Sequence, residues 1–396
     1  MMKLLALQAQ EHLEQTIIPF WVRLRDEENG GYYGKVGFDL TWYKKASKGS
    51  VQTSRILYFF SEAASLLNRD DCRRSADHAY QFLLHHCFDP VYGGLYWSLT
   101  YNGDVEDPVK SSFSFAYGIL ALTSYYRLTG KEEALQKAKE LQELVELHFA
   151  DTIGYKEVLS QDFMSNPNDD KRFSKGNYGG EKTMNTMLHL LEAYHTLYQA
   201  CPSEKLLQKI HMLCSLFVTH IYDKEHNALT IYFDSSLQKA SDYRSFGHEI
   251  EASWMLANCI ADLGHDELAE SLGVLCDTLA QQVYEHAYKH GSVVDETHNE
   301  KLRSRRVHWV QAEAVLGFVS AYERNPKKLE YLEAAHAVWS FIQTHLVDRR
   351  AQSEWLYQVD EQGIVTEPHA LVWSWKGPYN NGRMCMELIK RYTSRT

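Results

Sequence analysis

No run of about eighteen apolar residues occurs in this chain, so nothing in it reads as a membrane span. Its start, Met1-Met2-Lys3-Leu4-Leu5-Ala6-Leu7, is interrupted by Gln8, Gln10 and Glu11 before a signal-like apolar core forms, and reads as a first helix. Positive charge is short as well: 41 Lys and Arg face 52 Asp and Glu, a formal net of -11. That balance works against nucleic acid or an anionic membrane as partner and points to a neutral ligand. Cysteine is sparse, odd in number and scattered over seven positions with no C-x-x-C pair, the usage of small buried hydrophobes in a reducing, cytoplasmic setting. Also missing are G-x-G-x-x-G, a P-loop, H-E-x-x-H and any Cys/His ligand pair, so neither a nucleotide cofactor nor a metal is expected. The His85-His86 doublet is adjacent in sequence and points to different helix faces. No Pro/Ser/Gly-rich linker divides the 396 residues, so a single domain over 1–396 is expected, with 44% hydrophobic residues to fill its core.

What is present is a phrase repeated about every sixty residues: a turn rich in Gly, Asn or Asp that runs into aromatic and β-branched residues. It reads Gly30-Gly31-Tyr32-Tyr33, Gly93-Gly94-Leu95-Tyr96-Trp97, Gly154-Tyr155, Asn227-Ala228-Leu229-Thr230-Ile231-Tyr232, Gly291-Ser292-Val293-Val294 and Glu354-Trp355-Leu356-Tyr357. That period fits two long helices and one strand-like excursion per unit. Helical periodicity covers twelve stretches: 3–24, 52–67, 71–87, 113–128, 131–148, 182–200, 203–221, 248–264, 266–285, 308–324, 327–346 and 379–392. An open array would need polar caps, whereas the first and last stretches are both amphipathic, as if packed on each other. The expected fold is therefore all-α, an (α/α)6 barrel of six helix hairpins in a double ring, with the aromatic turns at one mouth. Segments 161–180 and 295–306 are long enough to line that mouth.

With 25 Tyr and 9 Trp, aromatics near the turns could stack on the C–H face of a sugar. Five constellations could carry chemistry. In Phe246-Gly247-His248-Glu249-Ile250-Glu251, a helix starting near Ser245 puts His248 and Glu251 three residues apart on one face, where the carboxylate could orient the imidazole. A capped surface helix with an incidental histidine competes with that. Asn185, His189 and Glu192 form a polar stripe at i, i+4 and i+7, for which a hydrogen-bonded core histidine is the alternative. Arg55 begins an otherwise apolar helix and could donate to an oxyanion, or else simply pair with Glu62 or another acid. Trp309 and Glu313 lie one turn apart. Trp373-Ser374-Trp375-Lys376-Gly377-Pro378-Tyr379-Asn380-Asn381-Gly382-Arg383 packs two Trp, a Gly-Pro turn and an Asn pair immediately before the last helix.

Together these motifs resemble the N-acylglucosamine 2-epimerase superfamily, and within it the cellobiose 2-epimerase and mannose 2-epimerase branch. The resemblance runs nearly end to end, from Ile18-Pro19-Phe20-Trp21 through Ser54-Arg55-Ile56-Leu57, Lys182-Thr183-Met184-Asn185-Thr186 and Gln311-Ala312-Glu313-Ala314 to Trp375-Lys376-Gly377-Pro378-Tyr379. It implies a cofactor-independent enzyme that opens a hexose ring, removes the C2 proton, forms an enediolate and reprotonates C2. It implies His248 as one base with Glu251 as its orienting partner, His189 assisting ring opening or proton shuttling, Arg55 on the O1 oxyanion, and Trp309 and Trp375 framing a sugar that Asn185 and Tyr117 also contact. An aldose–ketose isomerase of the same superfamily and an (α/α)6 glycoside hydrolase using Glu251 with Glu313 are the alternatives. One departure concerns the second base: the family pattern Tyr-His-Asn is Tyr379-Asn380-Asn381 here, and an amide cannot take a proton. The otherwise intact motifs favour a deliberate His-to-Asn exchange that traps a sugar over a naturally impaired or rewired site. A second departure is Ser112-Phe113-Ser114-Phe115-Ala116-Tyr117, where apolar residues replace polar ones and free D-mannose and D-glucose become candidate substrates beside cellobiose. A monomer is expected.

Overall fold

The computed structural model describes residues 1–165, 180–264, 267–299 and 301–393. Twelve helices of ten or more residues run through the described residues: α1 Met2–His12, α2 Ser50–Leu67, α3 Asp70–Phe82, α4 Ser112–Thr129, α5 Glu132–Leu144, α6 Met184–Ala200, α7 Glu204–Leu216, α8 Phe246–Leu263, α9 Glu267–His286, α10 His308–Arg324, α11 Leu329–Phe341 and α12 Tyr379–Tyr392. The six even-numbered helices pack side by side in sequence order, and α12 returns to α2 to close an inner ring. Each odd-numbered helix backs an inner one, with α1 lying on α12 as the two amphipathic ends required. The molecule is an (α/α)6 barrel.

Burial explains which helices went inside. In α4, every residue from Ser112 to Tyr125 is buried, because a helix packed on both faces must be apolar or small nearly all round. In α3 and α5 the buried positions form one stripe, Cys72, Ala76, Ala79 and Tyr80 on α3 and Ala134, Leu135, Ala138 and Leu141 on α5, and the opposite faces are charged. Five outer helices end alike, each widening into a π turn: Leu13–Ile17, Leu83–Cys87, Val145–Phe149, Phe217–Ile221 and Ile342–Leu346. The expected helix 3–24 is accordingly broken by the first of these turns before resuming over Ile18–Arg23. Residues 182–183, read as helix from their periodicity, are instead a short strand that pairs with Tyr232–Phe233.

The repeated turns sit at the end of the barrel where outer helices finish and inner helices begin. Gly30, Gly31, Gly93 and Gly94 all have positive φ, between 64° and 78°. A Cβ on Gly31 would meet Phe82 at 2.7 Å and one on Gly94 would meet Phe115 at 2.2 Å, so both conformation and close approach demand glycine. The aromatic after each turn mostly turns inward between the helix layers, as Tyr32, Tyr155 and Trp355 do. Only the residues beyond it, such as Trp97, Tyr232 and Tyr357, reach the mouth. Of the two long segments expected there, 161–180 lies largely outside the described residues, and 295–306 contributes a pair of strands, Glu296–His298 and Lys301–Arg303.

A second repeat had gone unread. A cation stands just ahead of every inner helix, at 48, 110, 182, 244, 306 and 376. Lys48, Lys110, Lys182 and Lys376 are buried and pair with Asp26 at 2.8 Å, Asp89 at 2.9 Å, Asp151 at 2.8 Å and Glu354 at 2.5 Å. Arg244 grips Glu249 through two bonds of 2.8 and 2.9 Å, and buried Arg306 donates to Ser292. Lys48 also donates to the Gly30 carbonyl at 2.6 Å. In the modules at Lys48 and Lys110, the pair thus ties the turn after an outer helix to the start of the next inner one. A buried ion pair of this kind fixes register more than it adds stability.

Candidate active site

At the N-terminal ends of the inner helices lies a cavity of about 550 Å³. Its wall includes all nine residues singled out from the sequence: Arg55 from α2, Tyr117 from α4, Asn185 and His189 from α6, His248 and Glu251 from α8, Trp309 from α10, and Trp375 and Asn380 at the start of α12. They enter from the first turns of the six inner helices or the residues just before them, which is why residues more than 300 positions apart meet.

One side of the cavity is a directed hydrogen-bond chain. Arg55 donates through Nη1 to the Trp375 carbonyl at 3.0 Å and through Nη2 to the Tyr117 hydroxyl at 2.7 Å. Glu62, its expected structural partner, binds Lys390 instead at 2.7 Å. The Tyr117 hydroxyl lies 3.1 Å from His189 Nε2, and His189 Nδ1 lies 3.0 Å from Glu192 Oε2. Burial lowers the His189 pKa to about 4, a shift its carboxylate neighbour only partly opposes, so the ring is neutral. Its Nδ1–H then donates to Glu192, and Nε2 accepts from Tyr117.

The other side carries His248, half-buried, with its ring 4.8 Å from that of Trp309. Ser245, the residue that caps α8, sits 2.7 Å from His248 Nδ1 and supplies the contact that the spacing had assigned to Glu251. Replacing Ser245 with Ala should therefore do two things at once: lower stability by about 1 kcal/mol through loss of the cap, and lower kcat with little change in KM because the imidazole loses its orientation. A thermal melt and steady-state kinetics on one preparation check both.

Glu251 belongs to a deeper cluster. Arg383, 1% exposed, donates to Glu192 at 2.7 Å, to Glu251 at 2.6 Å and to Glu313 at 2.8 Å. Its guanidinium lies over the Tyr379 ring at 4.2 Å and the Trp254 ring at 4.9 Å. Burial pushes the Glu192 carboxyl up, but the Arg383 charge and the bonds from His189 and Tyr379 override it and hold the group at about 2. Glu251 goes the other way, raised by burial and by the charge on Glu313. Glu313 accepts from Trp254 Nε1 at 3.0 Å and from Asn380 Nδ2 at 2.8 Å, so the amide at 380 is bound to the carboxylate cluster. Glu251 and Glu313 meet on the same guanidinium nitrogen rather than facing each other over an open cleft, which does not suit the paired carboxylates of glycoside hydrolysis.

Several contributors escaped the sequence. His308 lines the cavity, 3% exposed, with Nδ1 buried and without a hydrogen-bond partner. Burial, with Lys376 and Arg55 nearby, keeps its ring neutral. Its place directly before Trp309 was the available signal. Arg383 closed the C-terminal run singled out from the sequence but was given no role, since an arginine in a last amphipathic helix reads as surface. In the apolar run 112–117, Phe113 and Tyr117 face the cavity, whereas Phe115 packs outward on Phe149. Phe113 stands 5.7 Å from Trp375, which in turn stands 5.8 Å from Trp97, an aromatic rim. The donor set is hydroxyls, amides, imidazoles and carboxylates, and among the described residues no group of three or more His, Cys, Asp or Glu is placed to hold a metal ion. No helix among them is long and apolar enough to cross a membrane.

Comparison with known proteins agrees with this fold. The chain is 38% identical to a cellobiose 2-epimerase of Dictyoglomus turgidum over 98% of its own length and 99% of the relative's. It superposes on the structure of a cellobiose 2-epimerase from Bacillus thermoamylovorans with a TM-score of 0.93, at 36% identity, covering 98% of this chain and 99% of that one. A sugar epimerase from a ruminal bacterium gives a TM-score of 0.95 at 36% identity, with 98% and 99% covered. The family model for N-acylglucosamine 2-epimerase matches residues 30–376, and the chain belongs to that family.

Proposed function

We propose that this protein is a carbohydrate 2-epimerase, working without a cofactor as a monomeric, single-domain enzyme of the cytoplasm. It interconverts glucose- and mannose-configured aldoses, either free D-glucose and D-mannose or the reducing-end residue of a β-1,4-disaccharide such as cellobiose. One observation carries this: a neutral imidazole chain from Arg55 to Glu192 and a second imidazole at 248 share one aromatic-rimmed cavity. The C2 hydrogen of a sugar is acidic only beside an open-chain aldehyde. His189, with its tautomer fixed, is suited to move the proton between O5 and O1 as the ring opens. Arg55 stabilises negative charge on O1 of the enediolate. His248 exchanges the proton at C2, and Trp309 and Trp375 stack on the sugar. The seven cysteines, odd in number, support the reducing location.

An aldose–ketose isomerase is the second reading, favoured by Asn380: moving a proton from C2 to C1 needs a base on one face only. Incubation with D-mannose and with cellobiose in D2O, followed by NMR, separates these. Epimers carrying deuterium at C2 are expected. A ketose as sole product would replace the proposal with the isomerase, and monosaccharide released from cellobiose would replace it with a hydrolase. Gel filtration at the mass of one 45.9 kDa chain checks the monomer.

A further inference from the structure

Three carboxylates share the Arg383 guanidinium within 2.8 Å. One positive charge cannot balance three buried negative ones, so the cluster holds at least one proton at neutral pH. The hydrogen bonds locate it. Besides Arg383, Glu192 has His189 and Tyr379 as donors, and Glu313 has Trp254 and Asn380. Among the described residues, Glu251 receives a bond from Arg383 alone. Each donor to a carboxylate favours its ionised form, so the proton goes to the one with fewest. Glu251 is also the only member of this trio on the cavity wall.

We propose that Glu251 is the acid–base group for the face of C2 that His248 does not serve, doing from the carboxylate cluster what the amide at 380 cannot. This rests on the epimerase reading above. In one direction His248 takes the proton as the C2–H bond breaks, and that electron pair forms the C1–C2 double bond while the C1 carbonyl pair moves to O1. Glu251 then gives its proton to C2 on the opposite face as the C1 carbonyl re-forms, leaving an imidazolium and a carboxylate. The reverse reaction begins from that pair of states. The charged and titratable groups facing Glu251 are Arg383, Glu313 and Glu192, with the phenols of Tyr117 and Tyr379, and its proton is held above the ordinary carboxylate range by burial and Glu313.

Glu251→Gln tests it, since the amide oxygen still accepts from Arg383 but the side chain no longer titrates. Epimerisation should fall about 100-fold or more, while deuterium still washes into C2 of the epimer whose hydrogen faces His248. Loss of exchange and epimerisation together would make Glu251 a positioning residue and overturn the proposal, as would unchanged epimerisation. Should the unsubstituted protein epimerise none of D-mannose, D-glucose and cellobiose, the epimerase reading falls first and takes this one with it. If the variant does not fold, the pH profile of the unsubstituted protein decides: kcat in the direction where Glu251 donates must decline as the carboxyl loses its proton on the alkaline side of neutrality, and a flat profile there overturns the assignment.

Discussion

Asn380→His should raise kcat for 2-epimerisation about 100-fold or more, since a positioned general acid–base group is typically worth about 10²–10⁴-fold. The place for the ring already exists. Asn380 is half-buried on the cavity wall, and its Nδ2 donates to Glu313 at 2.8 Å. An imidazole N–H can make the same bond and leave its other nitrogen facing the sugar. Such a ring takes over proton transfer on that face, so a titrating group at 251 is no longer required. The two sites are therefore coupled: Glu251→Gln should be severe in the Asn380 background and mild in the Asn380→His background, and a double-mutant cycle measures that coupling. Initial rates with D-mannose and cellobiose, side by side, provide the test. An unchanged rate after His is introduced would remove residue 380 from proton transfer altogether.

Arg383→Met should be the most destabilising single exchange at the site, by about 3–5 kcal/mol at neutral pH, because removing one member of a buried ionic group leaves the others uncompensated. Methionine fills most of the volume, so the loss reports charge rather than a cavity. The pH dependence supplies a sign that packing alone cannot produce. With Arg383 present, the Glu192 carboxyl stays at about 2, below its ordinary 4.5, and contributes stability above the ordinary value that disappears as pH falls through about 2. Without Arg383, burial and mutual repulsion lift the carboxyls above their unfolded values. The folded variant then binds more protons than the unfolded chain, and its stability should recover as pH is lowered from about 8 to about 5. Urea titrations of both proteins across that range check the slope, and a variant that weakens further in mild acid would contradict this account of the cluster.

The helices were legible because twelve amphipathic or wholly apolar stretches have a period that admits one reading, and the expected stretch 308–324 matches α10 to the residue. Their ends were less so, since the π turns after five outer helices continue the helical pattern of apolar residues while changing the backbone. The nine candidate residues were named from polar and aromatic side chains near helix starts together with the family resemblance, and all nine line one cavity. What stayed hidden was the ionic layer beneath. Lys48, Lys110 and Arg383 are residue types that composition assigns to the surface, and only their partners, distant in sequence, make burial tolerable. For the lysines a clue existed in the recurrence of a Lys or Arg just before each inner helix, 62 residues apart from Lys48 to Lys110 and from Lys182 to Arg244. For Arg383 no local pattern existed, because Glu192, Glu251 and Glu313 come from three other helices. The orienting role of Ser245 could have been read, as it is both a helix cap and three residues from His248.

Because every inner helix begins at the mouth, the positive ends of six backbone dipoles point toward the sugar, each equivalent to about half an elementary charge. The field there favours an anion over a neutral hexose. A planar, negatively charged mimic of the enediolate should consequently bind far more tightly than either epimer, with an affinity that added salt weakens little, since the source of attraction is enclosed backbone rather than exposed side chains.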